Sequence, residues 1–111
     1  MAMNVITGSP AALLAKIKQA IDNREIETWS YDSDGDFTHT PDQWKLKAWM
    51  RPALAQGLLN FGILGNTGVP MTKVLYGVYH GRFLEMLATH FDDDFVTATV
   101  TAAKTSPDNF K

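Results

Sequence analysis

The chain has 111 residues, of which 45% are hydrophobic and 20% charged, a size and balance that suit one globular domain. It contains no cysteine, which excludes disulfides and thiolate metal sites and fits a reducing compartment. Ten Lys and Arg against twelve Asp and Glu leave a net charge of −2, without the basic surplus of a nucleic-acid footprint. The most apolar stretch, residues 53–64, is interrupted by Gln56, Gly57, Asn60 and Gly62. That falls short of the roughly 20 apolar residues of a membrane span. No basic segment leads into an apolar run near the start, and a soluble, cytoplasmic protein is expected.

Residues 1–8 read as a lead-in. Ser9 followed by Pro10 has the form of a helix start, a hydroxyl cap before proline at the first helical position. Leu13, Leu14, Ile17 and Ile21 then recur with helical spacing, which predicts a helix over 10–23. Residues 25–31 alternate as a strand does, with Ile26 and Thr28 on one face and Glu27, Trp29 and Tyr31 on the other. Asp32-Ser33-Asp34-Gly35-Asp36 is turn chemistry, and Phe37 to Thr40 returns as the second arm of a hairpin.

Thr40-Pro41-Asp42-Gln43 has the form of a capping box and predicts a short turn before a strand that begins near Ala48. Pro52 suggests an end, an edge or a bulge in that strand. Ala55-Gln56-Gly57 turns the chain, and residues 58–64 form the next strand. After a loop over 65–70, Thr72 is placed to cap a second helix over 73–91. Its apolar arc runs through Tyr76, Tyr79, Phe83, Leu84, Met86, Leu87 and Phe91. Asp92, Asp93 and Asp94 oppose the macrodipole at its end. Residues 95–102 alternate valine and alanine inward with threonine outward, the clearest strand pattern in the chain. Residues 103–111 read as a poorly ordered tail.

The expected architecture is a single α+β domain over residues 1–111. Its order is α-β-β-β-β-α-β, with an antiparallel sheet of about five strands and both helices on one face.

Asp32, Asp34 and Asp36 are weak metal candidates, with alternating carboxylates as in a calcium loop. The glycine comes at the fourth position rather than the sixth, and Gln43 stands where a bidentate Glu belongs. His80 and His90 are ten residues apart and point about 80° from each other on a helix, so they make no zinc pair. No phosphate loop, dinucleotide fingerprint or nucleophile elbow occurs, and no cofactor is expected. The best polar cluster is His80, Arg82 and Glu85, with His39 joining it if the fold brings them together. Gly77, Gly81 and Ala88 form a small-residue stripe that predicts close packing on the second helix.

If Ile26 faces the helices, Trp29 and Tyr31 face outward, and Trp49 and Arg51 share that outer surface; with the parity reversed, these aromatics are core. Aromatic residues beside arginine suit the centre of a protein interface. The sequence therefore favours a non-catalytic interaction protein of adaptor, inhibitor or immunity type, homodimeric, with a protein partner or itself as partner. The alternative is a small enzyme or ligand-binding protein centred on His80, Arg82, Glu85 and His39.

Overall fold

A computed structural model describes residues 2–110. The elements are β1 (Ala2–Ile6), α1 (Pro10–Asp22), β2 (Trp29–Tyr31), β3 (Phe37–His39), β4 (Ala48–Ala55), β5 (Leu58–Gly65), α2 (Lys73–His90) and β6 (Thr97–Val100). The six strands form one antiparallel sheet in the order β2-β3-β4-β5-β1-β6, and the fold is α+β as the sequence predicts.

The sixth strand comes from the segment read as a lead-in. β1 lies between β5 and β6, with Met3 opposite both Phe61 and Val100. Met3 and Val5 are fully buried, and Asn4, on the other face, accepts a 2.7 Å hydrogen bond from the Asn60 amide. Its period is that of a strand. Its partners, however, lie more than fifty residues away in the chain, so no local turn announces it.

The helical layer packs on the face that carries Met3, Val5, Phe37, Met50, Leu59, Phe61 and Ile63, all buried. α1 contributes Leu13, Ile17 and Ala20. α2 contributes Leu75, Tyr79, Phe83, Met86 and Leu87. Phe83 is the centre of the aromatic core, with ring centroids 4.9 Å from Trp29, 5.7 Å from Phe37 and 4.6 Å from Phe61. Thr72 caps α2 as expected, its hydroxyl accepting the Leu75 N–H at 3.0 Å. Ser9 precedes α1 but makes no side-chain cap bond.

Pro52 lies inside β4 and does not end it. β3 meets β4 only at Phe37–Met50, so β4 beyond that point has no neighbour on that side. Pro52 opposes Phe61 where the ladder with β5 needs no donor from it. The hairpin closes at Gln56-Gly57, with Gly57 at φ +70°.

The C-terminal segment also adds to the structure. Gly65 N–H donates to the Asn109 carbonyl, and Asn109 N–H to that of Ile63, at 3.0 and 2.8 Å. The buried Asp108 accepts from Ile63 N–H at 2.9 Å and from the Tyr76 hydroxyl at 2.6 Å. This segment takes the place beside β5 where β1 has ended. Pro107 lies so close to Gly62 that a Cβ there would meet it at 2.7 Å.

The glycine stripe of α2 does not pack as predicted. Gly77 and Gly81 are exposed, and a Cβ added at either would meet nothing within 4 Å. Ala88 is exposed as well. Close approach is needed at Gly62 and Gly65 of β5 instead, against Pro107 and Phe110.

Candidate functional site

A cleft of about 350 Å³ opens at the β2–β3 end of the sheet. Its walls come from three parts of the chain. Thr28, Trp29 and His39 belong to the first hairpin, and Pro41, Gln43 and Trp44 to the connection that follows. Arg82, Glu85, Met86, Thr89 and His90 are one face of α2. Those five positions repeat at i, i+3, i+4, i+7 and i+8, the stripe that a helix presents to one neighbour. The volume lies within the range of small-molecule sites.

The connection over the cleft is pinned by a buried hydroxyl pair. Tyr79 donates to the Trp44 carbonyl at 2.5 Å and lies 3.0 Å from Thr38 Oγ1. Thr38 Oγ1 is 3.0 Å from the Ala48 carbonyl and accepts Leu46 N–H at 3.1 Å. Burial raises the Tyr79 pKa, so this phenol is a neutral donor. Leu46 takes a φ of +59°, and the Thr38 bond holds its N–H there.

His39 carries the chemistry of the cleft. Its Nδ1 is 2.7 Å from the Thr28 carbonyl, and a carbonyl only accepts, so the ring hydrogen is on Nδ1. Burial lowers the His39 pKa. The Thr28 bond opposes that shift, and Arg82 and Glu85 act on it in opposite directions. The imidazole is therefore neutral near pH 7, with its lone pair on Nε2. Among the described residues no buried side-chain nitrogen or oxygen lacks a partner. Nε2 has none within the protein, so it is the ring atom that reaches the cleft. The ring lies against Trp29, with centroids 4.6 Å apart, and edge-on to Tyr79 at 6.2 Å. Packing and the Thr28 bond together fix its orientation.

Arg82 and Glu85 approach each other at 3.8 Å, and both are more than half exposed. Such a pair is weak, and the guanidinium retains donors for a ligand.

The expected polar cluster is thus split. Arg82, Glu85 and His39 share the cleft, while His80 is 2% exposed and is not part of its wall. Its Nδ1 lies 2.8 Å from the Tyr76 carbonyl, and its ring stands edge-on to Tyr76 at 4.8 Å. The predicted site omits His90, Gln43 and Trp44, which the cleft includes. Extending the helical period from Arg82 and Glu85 reaches His90, whereas nothing local marks Gln43 or Trp44.

The predicted aromatic surface is divided between two faces. Trp29 is 2% exposed, in the core. Tyr31 is on the same side, its ring 6.0 Å from Phe37 and its hydroxyl on the Asp22 carboxylate at 2.8 and 2.9 Å. Trp49 and Arg51 are on the opposite face of the sheet, in register with Leu64 and Gly62. The reason lies before the strand. Arg24 takes a φ of +61°, and Glu25 and Ile26 both donate backbone N–H to the Ala20 carbonyl. Ile26 thus belongs to the turn that ends α1, and the strand begins only at Trp29 after a bend at Thr28, so the alternation does not run through both and Ile26 and Trp29 both point inward.

Asp32, Asp34 and Asp36 do converge, with ligand oxygens within 4.8 Å of one another. Their bonds explain the convergence. Asp32 Oδ1 accepts the N–H groups of Asp34 and Asp36, both at 3.0 Å. The buried Asp36 takes Arg51 bidentately, Nε at 3.0 Å and Nη2 at 2.7 Å. This is an Asx-type hairpin turn with its one buried carboxylate already neutralised.

No protein-family model, curated protein or solved structure matches this chain. What the fold and site define is a two-layer α+β domain with a half-open polar cleft. No helix among the described residues is long and apolar enough to cross a membrane.

Proposed function

We propose that this protein binds a small polar molecule with an anionic group in the cleft between α2 and the β2–β3 hairpin. One observation carries the reading: the neutral, oriented His39, with Nε2 free as an acceptor, lines the same cleft as Arg82. A ligand with a carboxylate or phosphate would meet the guanidinium. A hydroxyl or amide hydrogen on the same ligand would meet Nε2, and Trp44, Pro41 and Met86 supply apolar walls.

The reading as an interaction protein with an aromatic sheet face loses its support, because Trp29 is core and Tyr31 is tied to α1. The lack of cysteine supports a cytoplasmic location.

The test is an NMR titration with a panel of small carboxylates and phosphomonoesters up to about 10 mM, which covers weak binding. Shifts that cluster on His39, the Trp44 indole and Arg82, and that vanish in Arg82→Ala, are expected. A panel that moves none of these signals, or moves them equally in Arg82→Ala, overturns the reading.

A further inference from the structure

Apart from its histidines, the cleft between α2 and the first hairpin is lined by one cation and one anion, Arg82 and Glu85. Arg82 Nη1 and Glu85 Oε1 lie 3.8 Å apart, and side-chain exposures of 58% and 68% leave both open to a ligand. Both stand on the α2 wall, three residues apart, which separates their backbones by about 4.5 Å along the helix axis. The hairpin wall supplies His39, whose ring hydrogen is on Nδ1 toward Thr28, which leaves Nε2 as an acceptor. Besides burial and the Thr28 bond, both charges act on this ring, Arg82 lowering its pKa and Glu85 raising it. The three groups therefore bound one space.

That charge pattern selects among ligands. A lone carboxylate on the Arg82 guanidinium comes within reach of the Glu85 carboxylate, so attraction and repulsion largely offset each other. A lone ammonium on Glu85 meets the converse. A ligand that carries both charges, reversed against the protein's own pair, makes every nearest contact attractive. The 3.8 Å separation asks for charges that are close together in the ligand. Amino and carboxylate groups on one carbon meet that demand, whereas each terminus of a peptide offers one charge alone. Nε2 of His39 requires an N–H on the cationic end, which a primary ammonium has and a quaternary one lacks. A volume of about 350 Å³ suits one such molecule.

We propose that the cleft holds a free α-amino acid with an apolar side chain, its carboxylate on Arg82 and its ammonium shared between Glu85 and Nε2 of His39. An amino acid presupposes that the cleft is a small-molecule site, as proposed above, and narrows its ligand from any anion to a zwitterion. The guanidinium offers two parallel N–H donors to the carboxylate. The ammonium has three hydrogens; Glu85 and His39 take two, and water takes the third at the open mouth. The side chain lies against Trp44, Pro41 and Met86, the apolar part of the walls.

NMR titrations at about pH 7 with L-leucine and L-phenylalanine, up to about 20 mM, test the ligand class. Each amino acid is run beside its skeleton without the ammonium (isocaproate, hydrocinnamate) and without the carboxylate (isoamylamine, phenethylamine). In at least one set the amino acid should bind at least about tenfold more tightly than either control. Glu85 is exposed, so Glu85→Gln leaves the core intact, which a thermal melt verifies. It should weaken the amino acid at least about tenfold and leave the carboxylate control equal or tighter. Arg82→Ala should weaken both together. A carboxylate control that binds as tightly as its amino acid, with both lost in Arg82→Ala, overturns the zwitterion and leaves the anion site standing. An amine control that matches its amino acid, with both unchanged in Arg82→Ala, overturns the anion site as well. Silence from both amino acids, or an affinity that Glu85→Gln does not move, also overturns the proposal.

Discussion

Nδ1 of His39, at the end of β3, lies 2.7 Å from the carbonyl oxygen of Thr28, the residue before β2. The bond spans the open end of the first hairpin. It sets the tautomer of the only histidine among the described residues that is both buried and in the cleft. Its consequence is a pH-dependent stability. Burial holds the folded-state pKa of His39 below the unfolded value, so the unfolded chain takes up its proton first as pH falls. The stabilisation is present above about pH 6.5 and is lost as pH falls through the lower folded value. His39→Gln should lose less stability between pH 7.5 and 5.5 than the wild type, measured by urea melts. The His39 ring signal should titrate below its ordinary midpoint in NMR. An equal loss in both proteins would remove His39 from the account.

Gly62 and Gly77 should respond to alanine in opposite directions. A Cβ on Gly62 meets Pro107 ring and backbone atoms at 2.7–2.8 Å, so the C-terminal segment must lift from β5. Overpacking of this kind costs about 1–3 kcal/mol. Gly77, in mid-helix with open space around it, should gain about 0.5–1 kcal/mol from alanine. Thermal denaturation reads both signs, and a destabilised Gly77→Ala would reinstate the packed stripe.

The Tyr76 hydroxyl joins α2 to the C-terminal segment, 2.6 Å from Asp108 Oδ2 and 2.8 Å from the Ala103 carbonyl. Tyr76→Phe removes the donor and leaves the two acceptors, at a cost of about 1–3 kcal/mol. Hydrogen exchange should quicken over residues 103–110 while the β4–β5 ladder stays protected. Uniform acceleration across the chain would mean that the segment does not open separately from the rest.

Thr38→Val tests the support of the cleft. It keeps the shape of the side chain but leaves Leu46 N–H without its acceptor and Tyr79 with one partner fewer. A loss of about 1–3 kcal/mol is expected. Trp44 should become more mobile, read as a broadened indole signal. An unchanged Trp44 signal would show that the Tyr79 bond to its carbonyl suffices alone.

Local pattern in the sequence determined both helices, the Asp-rich hairpin, the Thr72 cap and the threonine-alternating strand. Each of these follows from spacing or turn chemistry within about ten residues, and together they determined the α+β class. Tertiary structure alone decided what depends on distant partners. β1 is a strand because Phe61 and Val100 flank Met3, and residues 107–110 are held by Tyr76 and Ile63. The face of Trp29 was decided by the bend at Thr28, where the strand begins, and by Phe83 from the far helix. The cleft has the same origin. Arg82 and Glu85 were legible as a helical pair, but their meeting with His39, and the exclusion of His80, follow from how α2 lies across the hairpin. Period-2 and period-3.6 patterns assign a residue to a face, whereas a site needs two faces brought together, and that is settled by packing.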